Sequence, residues 1–526
     1  MLFTSYGFIA FLCLLFVAYY FVPKRWQWGL LLAASYIFYA FAGWQCLIFI
    51  AVTTVSAYAV ARLMARMAGR ESDYLAAHRD SMDKEARKAY KAKAKKRRFG
   101  VLLCGLVLNF GILAVLKYTA FAVFNLNSAL TAFGAEPLGI PDLLLPMGIS
   151  FYIFQTMGYL IDVYRGKTQA EENFFRLALF VSFFPQLVQG PISRHGDLAA
   201  QLYAPHAFDA RGFTYGLQRI LWGYFKKLVI ADRIAVAVGA LKAPEYTGVG
   251  FFILTVFYAV QIYADFTGGI DVTVGLSQTL GITLPENFIR PYFSKNIAEY
   301  WRRWHITLGE WMKDYIFYPI SISKPMLKLS KAARAKLGNV GKRLPVYVAS
   351  VATWFVTGIW HGLTPNFVLW GMLNCFVIVV SEELTPLYSA FHNRFHLKEK
   401  KWYGGFEILR MFLLMNLIRV CDLFPRVGDY FFRMGSLVTV WNFHMLRDGT
   451  LLQLGLSGLD YGILAVSVVL VFAVSLLQEK KGSVRELLWT RPALRYSLMF
   501  LLLLAVLLMG SYGIGYEASS FIYNQF

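Results

Sequence analysis

Apolar residues gather in long runs, at about 6–22, 28–43, 46–63, 100–117, 143–163, 214–240, 249–264, 346–362, 364–381, 406–424, 458–477 and 496–510. A helix that crosses a bilayer needs about 20 such residues. The pattern therefore predicts about 11 or 12 spanning helices. Shorter runs near 118–132, 174–190 and 268–283 read as re-entrant or partly spanning. The fold class expected is an all-α polytopic membrane protein, a single integral unit over 1–526.

Polar segments punctuate the runs. The clearest is a basic insertion at 62–99, where Arg62 to Arg98 holds 13 Lys or Arg against 5 Asp or Glu. Its Ala, Lys, Arg and Glu content favours a solvated or headgroup-associated helix. The less apolar middle, 284–345, contains Pro285, Pro291, Pro319 and Pro325 among its prolines, and a second basic stretch from Lys324 to Arg343. A third basic loop runs from Glu479 to Arg495. By the positive-inside rule all three are cytoplasmic, which puts the tail 511–526 outside. The first run starts without a positive flank and shows no A-x-A site, so it is expected to stay as a helix.

Composition agrees. The 526 residues are 57% hydrophobic and only 16% charged, against about a quarter charged in soluble domains. The net charge of +21 could serve nucleic acid, but the basic residues sit between apolar runs. Topology and contact with anionic lipid account for them, and no nucleic-acid partner is expected. Cys13, Cys46, Cys104, Cys375 and Cys421 lie in or beside apolar runs without CxxC spacing, so neither a disulfide framework nor a metal site is expected.

Two histidines carry the candidate chemistry. His361 ends an apolar run between Gly358 and Gly362, with Trp354, Trp360 and Trp370 nearby as possible channel walls. A histidine at that depth is either a packed residue bonded to a backbone carbonyl or part of a functional path. His305 lies in a segment where helical spacing puts Trp301, Trp304, His305, Leu308 and Trp311 on one face. That pattern also fits an interfacial helix with an aromatic belt. Histidine can move protons near neutral pH, so an enzyme and a proton-coupled transporter both remain open. No repeat of the kind transporters show is visible.

The string WRRWHITLGEWMKDYIFYPI, 301–320, resembles the signature of the membrane-bound O-acyltransferase family. Leu145 to Tyr152, Tyr159 to Arg165, Phe184 to Ile192, Asp265 to Gly268 and Glu286 to Phe288 match in the same order, and the opening Leu2 to Ser5 and Ser35 to Tyr39 look similar too. The branch most alike is the alginate O-acetyltransferase membrane subunit, with the teichoic acid D-alanyl transferases more distant. The resemblance implies a helical bundle around a central tunnel, with a core at 140–375. It also implies His361 as catalytic histidine and His305 as a second motif histidine on the tunnel's cytoplasmic side. Gly268-Gly269-Ile270-Asp271 departs from the branch's Gly-Tyr-Ser-Asp. The chain ends Phe521-Ile522-Tyr523-Asn524-Gln525-Phe526, which resembles an F-x-Y-x-x-F motif whose tyrosine is implicated as an acyl relay; an aromatic end packed at the headgroups is the other reading.

The activity the resemblance implies is O-acylation of an extracytoplasmic, alginate-like polysaccharide from a cytoplasmic thioester, acetyl-CoA or an acyl carrier protein. An extracytoplasmic SGNH-type transferase is the implied partner and the bacterial plasma membrane the implied location. No bound cofactor or metal is expected. Trp301, Arg302, Arg303, Trp304, Lys313, Asp314 and Trp360 are candidates for donor binding or tunnel lining. Transfer to teichoic acid or peptidoglycan is the alternative acceptor reading.

Overall fold

The computed structural model describes residues 3–362 and 364–512. They are mostly helical, with connections of which 133–148 is a long one, and one isolated bridge between Phe288 and Trp304. Six helices are long and apolar enough to cross a membrane: Cys46–Ala77, Lys84–Ala132, Val249–Thr279, Pro365–Glu383, Gly458–Lys481 and Pro492–Met509. The remaining apolar runs fall on shorter, interrupted or more charged helices. Tyr6–Phe21 has 16 residues, Gln27–Ala40 has 14 and Ile149–Arg165 has 17. The run at 214–240 is one apolar stretch in sequence but three pieces in space. A helix Ala210–Tyr224 passes into a π-helical segment, Phe225–Ala231, and then into a helix Asp232–Leu241.

Two compact units divide the chain. One holds residues up to 214 together with 276–285, the other 215–275 together with residues from 286 on. In the first unit, the basic insertion is no separate element. Cys46–Ala77 and Lys84–Ala132 run on through it, and Asp83 caps the second by accepting the Ala86 N–H at 2.6 Å. Tyr74 stacks on Tyr90 at 4.4 Å, and Arg98 pairs with Glu71 at 2.9 Å. The two helices therefore fold back on each other beyond their apolar parts. The matched Leu145–Tyr152 segment turns on Gly148, whose φ of 72° is left-handed and where a Cβ would lie 2.0 Å from the Leu187 carbonyl oxygen. Only glycine tolerates both conditions.

The second unit is knit by glycines at helix crossings. A Cβ on Gly223 would meet the Gly268 carbonyl at 2.5 Å, and one on Gly275 the Gly216 carbonyl at 2.7 Å. Ala210–Tyr224 and Val249–Thr279 thus cross backbone to backbone, which membrane helices achieve with small residues. The matched Asp265–Gly268 segment supplies this contact and an ion-pair partner, since Asp265 takes the Lys227 ammonium at 2.7 Å.

Candidate functional site

His305 owes its position to a break that helical periodicity does not foresee. The segment 297–312 is two seven-residue helices, Ile297–Arg303 and Ile306–Met312, and not one amphipathic helix. His305 between them has φ 47° and ψ 51°, a left-handed conformation that is uncommon for a non-glycine residue. The matched Asn287 holds the break. Its carbonyl accepts the Ile306 N–H at 3.0 Å, and its Oδ1 accepts the Thr307 N–H at 3.1 Å and the Thr307 hydroxyl at 3.0 Å. A side chain from outside thus satisfies the open first turn of the second helix. The backbone strain at His305 and its neighbours' burial go together, as at many functional sites. Asn287→Ala is expected to remove these two side-chain bonds and lower the melting temperature, with activity falling further than Thr307→Val lowers it. Thermal unfolding and turnover of the two variants check this.

Trp304, His305, Leu308, Trp311 and Met312 are all buried, so the interfacial-belt reading does not describe this segment. The His305 ring lies edge-on to Phe266 at 4.9 Å and to Trp360 at 6.2 Å. Burial, and then the Arg419 charge, pulls its imidazole down to about 3, which leaves it neutral at physiological pH.

His361 closes the helix Asn339–His361 and is 6% exposed. Its ring sits between Trp360 and Trp370, each 4.8 Å away. The glycines around it set its place. A Cβ on Gly358 would meet the Phe367 carbonyl at 2.7 Å, and one on Gly371 the Trp354 carbonyl at 2.4 Å, so Asn339–His361 and Pro365–Glu383 touch at their backbones. Trp301, Trp354 and Trp370 form a cluster with centroid separations of 4.7, 5.9 and 6.0 Å. Trp360 thus touches both histidine rings; of the tryptophans named as walls, Trp360 and Trp370 flank His361, and Trp354 packs behind Trp370. The Trp301 Nε1 is buried without a hydrogen-bond partner among the described residues.

The charged members of the motif lie apart from this array. Arg302 and Lys313 are exposed, and Asp314 is half-buried in the π-helical segment Lys313–Phe317. Arg303 is held by Glu299 at 2.7 Å and Glu479 at 3.0 Å. The cation that does reach the array is Arg419, which reading by apolar runs overlooked. It lies over the rings of Trp304 at 5.6 Å and Trp370 at 5.2 Å, and its Nε is 3.4 Å from Asp422. Asn366 ties the same turn down by donating to the Cys421 and Asp422 carbonyls, both at 3.2 Å. The available signal was an arginine and an aspartate inside the apolar run 406–424, where ionisable groups are costly. Residues 513–526, and with them Tyr523, lie outside the described residues.

A family model, "MBOAT, membrane-bound O-acyltransferase family", matches residues 171–423. Relatives named probable alginate O-acetylase AlgI are 34% identical in Azotobacter vinelandii and in Pseudomonas putida, over 70% of this chain in both. The match spans 66% and 68% of their lengths, and 64% in the Pseudomonas syringae relative, so the chain covers about two thirds of these proteins. A peptidoglycan O-acetyltransferase of Helicobacter pylori is 32% identical over 62% of both chains. A teichoic acid D-alanyltransferase of Bacillus subtilis is 27% identical over 54% of this chain and 69% of its own length.

Proposed function

Because the chain belongs to the membrane-bound O-acyltransferase family, we propose that it takes an acetyl group from a cytoplasmic thioester and passes it through the membrane for O-acetylation of an extracytoplasmic polysaccharide. The observation that carries the chemistry is His361, buried between Trp360 and Trp370, with His305 also packed against Trp360. The array can strip a proton from a hydroxyl in a site with little water. Acetyl is favoured over D-alanyl because the relatives of higher identity are named for acetylation. An alginate-like polymer is the acceptor in this reading.

In the first step a hydroxyl attacks the thioester carbonyl of acetyl-CoA or of an acyl carrier protein. His361 takes the hydroxyl proton as general base. The carbon–sulfur bond breaks, a carbon–oxygen bond forms, and the proton passes to the leaving thiolate. Trp301 Nε1 and backbone N–H groups are the donors suited to the transient oxyanion. The attacking hydroxyl is that of Tyr523, on an extracytoplasmic tail. Its ester then gives the acetyl group to an SGNH-type transferase, and a phenolate of pKa about 10 is a better leaving group than an alkoxide. The basic loops, 62–99 included, face the cytoplasm and draw in the anionic donor. The membrane in this reading is the bacterial plasma membrane.

Polymer acetylation in cells tests the relay. Tyr523→Phe, expressed at the level of the parent, is expected to reduce the acetyl content of the envelope polysaccharide to that of a strain lacking the gene. Full acetylation with this variant would exclude the tyrosyl ester.

A further inference from the structure

A cavity of about 760 Å³ opens in the second unit, and Phe288 in its lining separates it from His305, whose ring is 6.2 Å from that of Phe288. One side is charged. Arg219, Lys226, Arg290, Arg485 and Arg495 line it together with only two carboxylates, Asp271 and Glu286. Both carboxylates are already engaged by Arg219, at 2.8 Å from Asp271 and 2.5 Å from Glu286, and Lys226 shares Asp271 at 2.6 Å. Arg290 is engaged from outside the cavity by Glu479 at 2.6 Å.

The last two arginines face different partners. Arg485 donates to the Tyr215 carbonyl at 3.2 Å and lies over its ring. Burial, and then the Arg219 charge, pulls Arg485 below its usual range. Arg495 is 6% exposed, stacks on Trp489 at 4.2 Å, and has a buried Nε with no hydrogen-bond partner among the described residues. A guanidinium buried in this way is costly until an anion meets it.

The other side of the cavity is apolar. Val471 and Val474 come from Gly458–Lys481, and Leu498, Leu502 and Ala505 from Pro492–Met509. Both helices are candidate membrane spans that stay mostly exposed along their apolar lengths, so bilayer lipid reaches them directly.

We propose that this cavity binds an anionic glycerophospholipid, with its phosphate on Arg485 and Arg495 and an acyl chain along the wall of Val471, Val474, Leu498, Leu502 and Ala505. Guanidinium groups meet phosphate oxygens through paired, charge-assisted hydrogen bonds. Basic pockets between membrane helices suit such headgroups, and the volume lies in the range of ligand sites. The apolar wall selects a lipid over a soluble phosphate compound such as the thioester donor, whose arm beyond the phosphates is polar. With the loop Glu479 to Arg495 cytoplasmic, as in the reading above, the lipid comes from the inner leaflet.

The test uses the full chain, stripped of lipid in detergent and then offered phosphatidylglycerol or phosphatidylcholine. Retained lipid is counted by native mass spectrometry. Retention of phosphatidylglycerol over phosphatidylcholine is expected. Arg485→Gln and Arg495→Gln should each weaken it about fivefold. Ala505→Phe, which fills the apolar side and leaves every charge in place, should lower retention in protein that still elutes as a single species. Equal retention of the two lipids, unchanged retention in all three variants, or displacement of phosphatidylglycerol by excess CoA would overturn the proposal.

Discussion

His361→Ala is expected to lower acetyl transfer by about 100- to 10,000-fold, the span over which a positioned general base contributes. The protein should still fold, because the helix Asn339–His361 is fixed by Gly358 against Phe367 and by Gly371 against Trp354, contacts that do not involve the imidazole. His361→Gln separates proton transfer from space-filling, since glutamine keeps polar atoms between Trp360 and Trp370 but cannot act as a base near neutral pH. Both variants should therefore lose turnover while keeping donor affinity, and steady-state kinetics with labelled acetyl-CoA will show it as a fall in kcat with KM little changed. His305→Ala is expected to have a smaller effect on the chemical step. Its ring meets Trp360, which packs on His361, whereas His361 itself is the residue assigned the proton.

The second large effect concerns Arg419. Its guanidinium spans Trp304 and Trp370, the tryptophans beside the two histidines, and it is buried with Asp422. Removing one member of such a pair strands the other, at a cost of about 3–5 kcal/mol. Arg419→Gln should therefore lose much of its thermal stability. In Arg419→Gln with Asp422→Asn the stranded charge is gone, so stability should largely return. Turnover should stay low in the double variant, because the cation that bridges the two tryptophan faces is then gone. Arg419→Lys should retain charge and stability but lose the planar stacking, and with it part of kcat. If the double variant recovers turnover as well as stability, Arg419 has a structural role only.

What was legible in the sequence were features whose signal is local. Runs of apolar residues marked the membrane class, and the strings around Trp301 and Gly358 marked the histidines. Trp360 and Trp370, named for their nearness to His361 in sequence, do flank its ring. What escaped depends on partners far along the chain. The left-handed turn at His305 sits within a helix-like pattern, and the residue that holds it, Asn287, lies on another segment. Arg419 and Asp422 vanish into an apolar run when hydropathy is averaged, as do Lys226 and Lys227 inside 214–240, although each is paired with a carboxylate. Run length likewise does not reveal that 214–240 is broken by a π-helical segment. The basic insertion looked separable by charge. Its backbone, however, simply prolongs the two flanking helices.

The central claim is that an acetyl group leaves a thioester under the action of His361 and rests on Tyr523. Its most direct test is to give purified protein in nanodiscs acetyl-labelled CoA and locate the label by peptide mass spectrometry, in the parent, His361→Ala and Tyr523→Phe. Label on Tyr523 with release of free CoA, absent from both variants, is the predicted result. Release of neither label nor CoA, with acetyl-CoA and with an acyl carrier thioester alike, would contradict it.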